Sequence, residues 1–477
     1  MAVNQEFDLI VIGGGPGGYV GAIRAAQLGM KVACIEADKL GGVCLNWGCI
    51  PTKALLAAAS FYHRLKHDAA DWGIKADNIS HDWEQVIKRS RTVATKLNRG
   101  VHHLFKKNKV AHIEGYAFVP KPGSVAVYDA QNTRHEGEPT QFLRGRHILV
   151  ATGADPRALP DTAFDGDKII SSREAMTLTP QPKRILIIGG GAIGMEFAYF
   201  YHAFGTQVTL VEMMDRLLPI EDYDISKAIK KSFKKTGIST MTATKIFDLE
   251  RTESGIRAQV APVTGESKAQ TIESDVALVA IGVRGRYHGI FDRSLKIQTH
   301  ENHLQVDRST YATSAPGIYA VGDVSGPPWL AHVASEEAIV CVEKLAGHPG
   351  VDIDYNAIPA CTYCEPQVAS IGRTEQRCQE EGLEYTKATF PFQGSGKAQA
   401  LGATEGFVKL LAGKPHGEIL GGHMIGADVT EFIGEIALGQ RLEATANELI
   451  ATIHAHPTLS EAVHEAALGL DGRMIHF

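Results

Sequence analysis

FDLIVIGGGPGGYVGAIRAAQLGMKVACIEAD, residues 7–38, decides how the rest of the chain is read. Its apolar run Leu9 to Ile12 has the length of a strand buried on both faces. Gly13, Gly15 and Gly18 follow as G-x-G-x-x-G, and a helical pattern then runs through Leu28 to Gly29. Val32 to Ile35 predict a second strand, which Glu36 closes. Every part has a physical purpose. The first glycine makes a tight turn, the second lets the backbone approach a pyrophosphate, and the third packs helix on strand. The acid accepts ribose hydroxyls. Glycines alone would be a weak signal; strand, glycines, helix, strand and acid in register are a strong one.

The pattern returns as RILIIGGGAIGMEFAYFYHAFGTQVTLVE, residues 184–212, with Gly189, Gly191, Gly194 and the acid Glu212. Gly13 to Glu36 is 23 positions and so is Gly189 to Glu212, which implies a duplicated dinucleotide unit. A carboxylate at Glu212 suits the ribose of NAD and repels a 2′-phosphate, while Arg216 leaves some NADP use open.

Close behind the first unit lies GGVCLNWGCIPTK, residues 41–53, with Cys44 and Cys49 five positions apart. Both read as a redox-active dithiol. On a regular helix their Cα atoms would be about 8–9 Å apart, whereas a disulfide needs less than about 7 Å. An irregular turn over Asn46 to Gly48 is therefore expected, with Gly48 supplying the freedom. Pro51 suits a first helical turn, and Thr52 to Leu65 predict an amphipathic helix. Cys49 then sits near a helix N-terminus, which favours a thiolate, and Lys53 adds positive charge on the same face.

The remaining chain fits around these stretches. Trp83 to Phe105 predict a helix, His112 to Val119 a short strand, and Asp129 to Pro139 a polar surface excursion. HILVATGADPR (147–157) carries Thr152 and Gly153 at a strand end and reads as a crossing out of the first unit; DVALVAIGVRG (275–285), with Gly282, reads as the crossing back. Ile318 to Val321 form a strand that delivers Asp323, either to a ribityl hydroxyl or as a helix N-cap, and His332 to Leu345 a helix. From about Val351, short strands and hairpins predict an antiparallel sheet with flanking helices. Near the end, in TIHAHPTLSEAVHEAAL, His456 and Glu461 form the pattern of a general base held by a carboxylate. A helix-capping Glu and a packing His are the structural alternatives.

Composition narrows the classes. At 477 residues the chain suggests about three domains of about 150 residues each. A net charge of −6 offers no basic patch for nucleic acid. The uncharged run Leu9 to Ile23 is 15 residues and rich in glycine, short of a membrane span, and no signal-peptide pattern precedes it. Seven cysteines make no disulfide framework and point to a reducing, cytoplasmic setting. Cys361 and Cys364 form a C-x-x-C without partner ligands and read as strand or core residues; no metal site is expected, and His454 beside His456 lacks a third ligand.

Taken together, GGVCLNWGCIPTK, the two fingerprints, the ATG and VGD strands and HAHPTLSE resemble the two-dinucleotide-binding disulfide flavoprotein reductases over nearly the whole chain. The resemblance implies an α/β fold with two Rossmann-like dinucleotide-binding domains and a C-terminal α+β dimerisation domain. Its boundaries would be 1–152 and 282–350 for FAD, 153–281 for NAD, and 351–477 for the homodimer interface. It implies that Cys49 is the flavin-proximal thiolate and Cys44 the sulfur attacked by substrate. His456 would be the base and Glu461 its orienter, serving the dithiol of the other subunit. Lys53 would lie beside the flavin with Glu196 as its partner, and Asp323 would contact the FAD ribityl chain. HAHPTLSE and the NAD-type acid favour a member that oxidises dihydrolipoyl groups on subunits of a 2-oxoacid dehydrogenase or glycine cleavage complex. The alternatives are glutathione-type or mercuric reductases and a catalytically silent binding subunit. One departure stands out: after Gly282 the chain reads VRGRYHGI, without the Pro-Asn common in relatives.

Overall fold

The computed structural model describes residues 5–132, 136–264 and 269–477. It divides into two compact units. The first holds the N-terminal residues to Ala54, Gln85–Arg157 and Gly282–Ile353. The second holds Leu55–Glu84, Ala158–Ile281 and Asp354–Phe477.

In the first unit the strand Gln5–Ile12 lies between Val32–Glu36 and Gln141–Val150, parallel to both, and Ala111–Glu114 extends the sheet beyond Val32–Glu36. Leu9 and Val11 enter one apolar cluster, Ile10 and Ile12 the other, so the strand is covered on both faces as its unbroken apolar run requires. Leu9, Ile10 and Val11 are wholly buried; each contributes about 2 kcal/mol by transfer from water alone. The long strand Gln141–Val150 is shared. Its first half pairs antiparallel with Ser124–Tyr128, and its second half parallel with Ile318–Ala320. The predicted single strand over His112 to Val119 is instead two, Ala111–Glu114 and Tyr116–Lys121. They break at Gly115, where a Cβ would meet the Tyr128 carbonyl oxygen at 2.5 Å. The polar stretch Asp129 to Pro139 joins Ser124–Tyr128 to Gln141–Val150, and its residues 133–135 lie outside the described ones.

The second unit repeats the design. Arg184–Ile188 lies parallel between Gln207–Val211 and Val276–Val279 in a five-stranded sheet, edged by Ser239–Met241 and Ile169–Ile170. Its C-terminal part is a five-stranded antiparallel sheet in the order Ala360–Thr362, Gln367–Gly372, Ile419–Gly426, Phe407–Gly413, Tyr385–Pro391. Helices Val429–Arg441 and Glu461–Leu470 share one core with it, through Ile433, Ile436, Val463 and Ala466. Among the described residues no helix is long and apolar enough to cross a membrane.

Candidate active site

The cysteine stretch forms two helices separated by one residue. Gly42–Trp47 is helical, Gly48 breaks with φ −150° and ψ −119°, and Cys49–His63 begins at once, followed by a π-helical turn Arg64–Asp68. The irregularity is thus narrower than the expected turn over Asn46 to Gly48, and the helix starts earlier than Thr52. Asn46 explains why. Its side-chain amide donates to the carbonyls of Leu40 (3.0 Å) and Gly42 (2.9 Å), while its own carbonyl accepts from Arg91 (2.7 Å), which holds it in the first helix. At Gly48 a Cβ would stand 3.1 Å from the Val43 carbonyl oxygen and 3.2 Å from its side chain. The Gly48 carbonyl accepts from the Thr52 backbone (3.0 Å) and hydroxyl (2.7 Å), tying down the start of the second helix.

This arrangement brings the two sulfurs into hydrogen-bond contact as thiols, with Cys49 the first residue of its helix. The pair is unequal. The Cys44 thiol is held far above its ordinary range, first by the hydrogen bond to Cys49, then by burial and by negative charge at Cys49; Lys53 opposes this and Asp323 adds to it. Tyr19 faces the same site, its phenol pushed up by burial and then by Cys44. The proton on Cys44 is therefore held firmly, while Cys49 occupies the helix N-terminus, a position that favours a thiolate.

The two fingerprints coincide in detail. Gly13 and Gly189 turn the chain at φ +98° and +110°, where a Cβ would stand 2.4 and 2.3 Å from the carbonyls of Ala151 and Ala280. At Gly18 and Gly194 a Cβ would fall 1.8 and 1.9 Å from the carbonyls of Gly13 and Gly189. Glu36 takes the Gly14 N–H at 2.7 Å and the Asp38 N–H at 2.8 Å; Glu212 takes those of Gly190 at 2.5 Å and Met214 at 2.7 Å. Burial lifts the Glu36 carboxyl above its usual range, and these N–H groups only partly offset it. The middle glycines differ from the others. A Cβ at Gly15 would touch only the Gly42 Cα at 3.8 Å, and one at Gly191 nothing within 4 Å, yet each caps a helix in ordinary extended conformation. Both helix N-termini thus open onto clear space beside a carboxylate, a fit for an anionic pyrophosphate and its ribose.

Asp323 follows the strand Ile318–Ala320 in a short turn, Gly322–Ser325, that Val321 rather than Asp323 caps. Its carboxyl is pushed up to about 6 by burial and then by Glu337. A hydroxyl donor such as a ribityl chain would relieve it. The crossing segments pair with each other: Ala154–Pro156 runs antiparallel to Val283–Gly285, the Thr152 hydroxyl donates to the Arg286 carbonyl at 2.5 Å, and the Arg286 N–H donates to the Gly153 carbonyl at 2.9 Å. Gly282 (φ +113°) accepts from the Arg157 N–H at 3.0 Å. In place of the missing Pro-Asn, Arg286 forms an ion pair with Asp155 through two guanidinium nitrogens. Arg216 contacts Asp215 (2.9 Å), the Pro219 carbonyl (2.9 Å) and the Tyr223 ring (4.2 Å).

In the second unit His456 Nδ1 meets Glu461 Oε1 at 2.9 Å, with the imidazole side chain 77% exposed. Glu461 serves both sequence readings, because its other oxygen accepts the Thr458 N–H at 2.8 Å. Against the upward push of burial, these two partners hold its carboxyl below the usual range. Both ring nitrogens of His454 are engaged, by Glu435 at 2.7 Å and the Thr452 carbonyl at 3.0 Å. Glu196, buried in helix Ala192–Ala203, accepts the Tyr363 N–H at 3.1 Å. Cys361 lies in the strand Ala360–Thr362 and Cys364 is fully buried just after it. Cys44, Cys49, Lys53, Asp323 and the first fingerprint thus share the first unit. His456, Glu461, Glu196 and the second fingerprint share the second. Sequence reasoning missed the Asp155–Arg286 pair and a buried lysine, Lys409, whose signal was a charge inside the apolar run FVKLLAG.

The family model of pyridine nucleotide-disulphide oxidoreductases matches residues 7–338, and that of their dimerisation domain residues 358–467. A dihydrolipoyl dehydrogenase of Rhizobium etli is 42% identical, covering 99% of both chains. One of Bacillus subtilis is also 42% identical, covering 99% of both. The mitochondrial enzyme of Pisum sativum is 38% identical over 99% of this chain and 93% of its own. Among solved structures, LpdA of Mycobacterium tuberculosis superposes with a TM-score of 0.88 at 26% identity, covering 98% of this chain and 99% of that one. The flavoprotein disulfide reductase RclA of Escherichia coli does so at 0.84 and 25%, with the same coverage.

Proposed function

The chain belongs to the pyridine nucleotide-disulphide oxidoreductases and carries their dimerisation domain, and from that premise we propose that it is an NAD-dependent dihydrolipoyl dehydrogenase. It oxidises dihydrolipoyl groups borne by subunits of a 2-oxoacid dehydrogenase or glycine cleavage complex, and it works as a cytoplasmic homodimer. FAD is assigned to residues 1–152 with 282–350, NAD to 153–281 and the subunit interface to 351–477. The observation that carries the reading is the thiol pair itself, with Cys44 in hydrogen-bond contact with Cys49 and Cys49 at a helix start. Full-length relatives of that activity at 42% identity support the substrate.

In the reaction, His456 of the partner subunit takes the proton of one substrate thiol, held in its working tautomer by a Glu461 carboxylate. The thiolate attacks Sγ of Cys44 in the oxidised pair, and Cys49 leaves as a thiolate stabilised at its helix N-terminus. The second substrate sulfur then attacks the first, breaking its bond to Cys44; its proton passes to the departing Cys44 sulfur, and the lipoyl disulfide departs. Two electrons and two protons have left the substrate. FAD, when bound at Gly13, Gly15, Gly18, Glu36, Lys53 and Asp323, supplies the two-electron acceptor from which NAD⁺ takes a hydride. Lys53 would place a positive charge beside it. Gly189, Gly191, Gly194 and Glu212 hold NAD, and Thr152, Gly153 and Gly282 shape the crossings.

Two assays run side by side test this: NAD⁺ reduction by dihydrolipoamide, and NADPH oxidation by glutathione disulfide. Turnover in the first alone is expected. Turnover in the second alone would assign the chain to a glutathione-type reductase. An anaerobic NADH titration should produce a long-wavelength thiolate-to-flavin band at two electrons, and its absence would count against the Cys49 assignment.

A further inference from the structure

Lys409 is 0% exposed in a strand, Phe407–Gly413, that is otherwise apolar. All three of its ammonium protons are used: on Asp222 at 2.8 Å, Asp224 at 2.6 Å and Glu375 at 2.7 Å. Glu375 is held in turn by Lys387 at 2.6 Å and the Tyr385 hydroxyl at 3.0 Å, and its own N–H donates to Asp222 at 2.9 Å. Asp222 caps helix Tyr223–Thr236 by accepting the Asp224 N–H at 3.0 Å. Taking charges out of water costs so much that well-packed apolar residues would hold the fold equally well. Stability alone does not account for the cluster. What an ionic cluster adds is one fixed geometry, and the segment it fixes leads directly to the second fingerprint.

That segment is residues 213–222. At its far end the Met214 N–H donates to Glu212 (2.7 Å) and the Leu218 N–H to the Gly190 carbonyl (2.8 Å). At its near end the Glu221 N–H and the Ser226 hydroxyl both bond the Leu218 carbonyl, at 2.9 and 3.3 Å, one turn from Asp222. We propose that Lys409, on the sheet of the dimerisation domain, is a positioning residue for NAD. By gripping Asp222 it sets the loop that holds Glu212 and Gly190 in register for the adenosine ribose. The inference rests on the reading that Glu212 takes that ribose. It also gives the dimerisation domain a part in nucleotide binding besides joining subunits.

The test uses FAD-loaded enzyme and ADP-ribose, a redox-silent probe of the adenosine half. In Lys409→Met the ADP-ribose dissociation constant and the NAD⁺ KM should rise about tenfold, the scale on which packed networks transmit effects to a distant site. Flavin reduction by dihydrolipoamide should keep its rate, and FAD should stay bound. Wild-type ADP-ribose affinity in the folded variant would overturn the proposal. So would an equal loss of dithiol-driven flavin reduction, the mark of general structural damage. If Lys409→Met gives no holoenzyme, Glu375→Gln decides alone, with affinity expected to fall about threefold and unchanged affinity refuting the idea. A wild type that binds ADP-ribose but reduces no flavin with dihydrolipoamide would remove the proposed substrate and leave Lys409 in place. One that binds no ADP-ribose would remove the ribose reading of Glu212 and the role of Lys409 with it.

Discussion

Gly191→Ala separates what the second fingerprint does for the fold from what it does for its ligand. Gly191 has φ −77°, open to any residue, and a Cβ there would meet nothing within 4 Å. Exchanging a glycine N-cap for alanine costs about 0.5–1 kcal/mol, and the lower chain entropy of alanine in the unfolded state returns about 0.4–1 kcal/mol. Stability should therefore move by less than about 1 kcal/mol. On the assignment proposed above, the new methyl would instead occupy the space at the helix start that the NAD pyrophosphate needs. Losing one hydrogen bond to a charged group costs about 1.5–3 kcal/mol, which is about 10- to 100-fold in affinity. Gly194→Ala is the contrast: its Cβ would sit 1.9 Å from the Gly189 carbonyl oxygen where ordinary contact starts at 3.4 Å. Helix and strand would have to part by about 1.5 Å, so this variant should lose thermal stability as well. The assay is a thermal melt beside the NAD⁺ dependence of dihydrolipoamide oxidation. An unchanged NAD⁺ KM in Gly191→Ala would refute the placement of the pyrophosphate at this helix.

Further outcomes are expected at Cys44, Glu461 and Asp323. Cys44→Ser should abolish dihydrolipoamide turnover while FAD remains bound, read from activity and the flavin absorbance of the purified protein; unchanged activity would sink the scheme. Glu461→Gln should lower kcat with dihydrolipoamide about 100-fold, the low end of what a general base supplies. In the native enzyme the Glu461 carboxyl lies below its ordinary value, so its grip on His456 is present above about pH 4.3 and fades only as pH falls through that lower value; a carboxylate NMR titration checks this. The Asp323 carboxyl, pushed up to about 6 without ligand, should ionise when a hydroxyl donates to it. FAD affinity of the apoprotein should then fall as pH drops below about 6, and apoprotein stability should decline as pH rises from about 4 through 6. Fluorescence titration of FAD at pH 5 and pH 7.5 measures the first, and equal affinities would refute it.

The two glycine turns and their carboxylates were legible in the sequence because their signals are local. Gly13, Gly18, Gly189 and Gly194 are required by carbonyls within the same motif or at the adjoining strand end, and Glu36 and Glu212 bond to N–H groups 22 positions away in the same unit. The break at Gly48 was foreseen from helix geometry, though not its restriction to one residue, which depends on Arg91 reaching Asn46 from another helix. Long-range partnerships were the ones missed. Lys409 finds Asp222 across 187 positions, and Arg286 finds Asp155 across 131. No periodicity or spacing links such residues; only the fold brings them together. The departure VRGRYHGI left the contacts around that crossing open, and the fold supplies an ion pair across the crossing strands there.

The matched clasps at Glu36 and Glu212 have a consequence for selectivity. Both hold a carboxylate against the middle of a glycine turn with nearly the same bonds. FAD and NAD share an adenosine ribose, so a clasp that reads this moiety cannot sort one from the other. On the assignment proposed above, free ADP and AMP are candidates for both seats. Sorting must then fall to the halves that the two ligands do not share, the isoalloxazine and the nicotinamide. A cell rich in adenine nucleotides would compete for this enzyme twice, once during assembly with its flavin and again at every turnover.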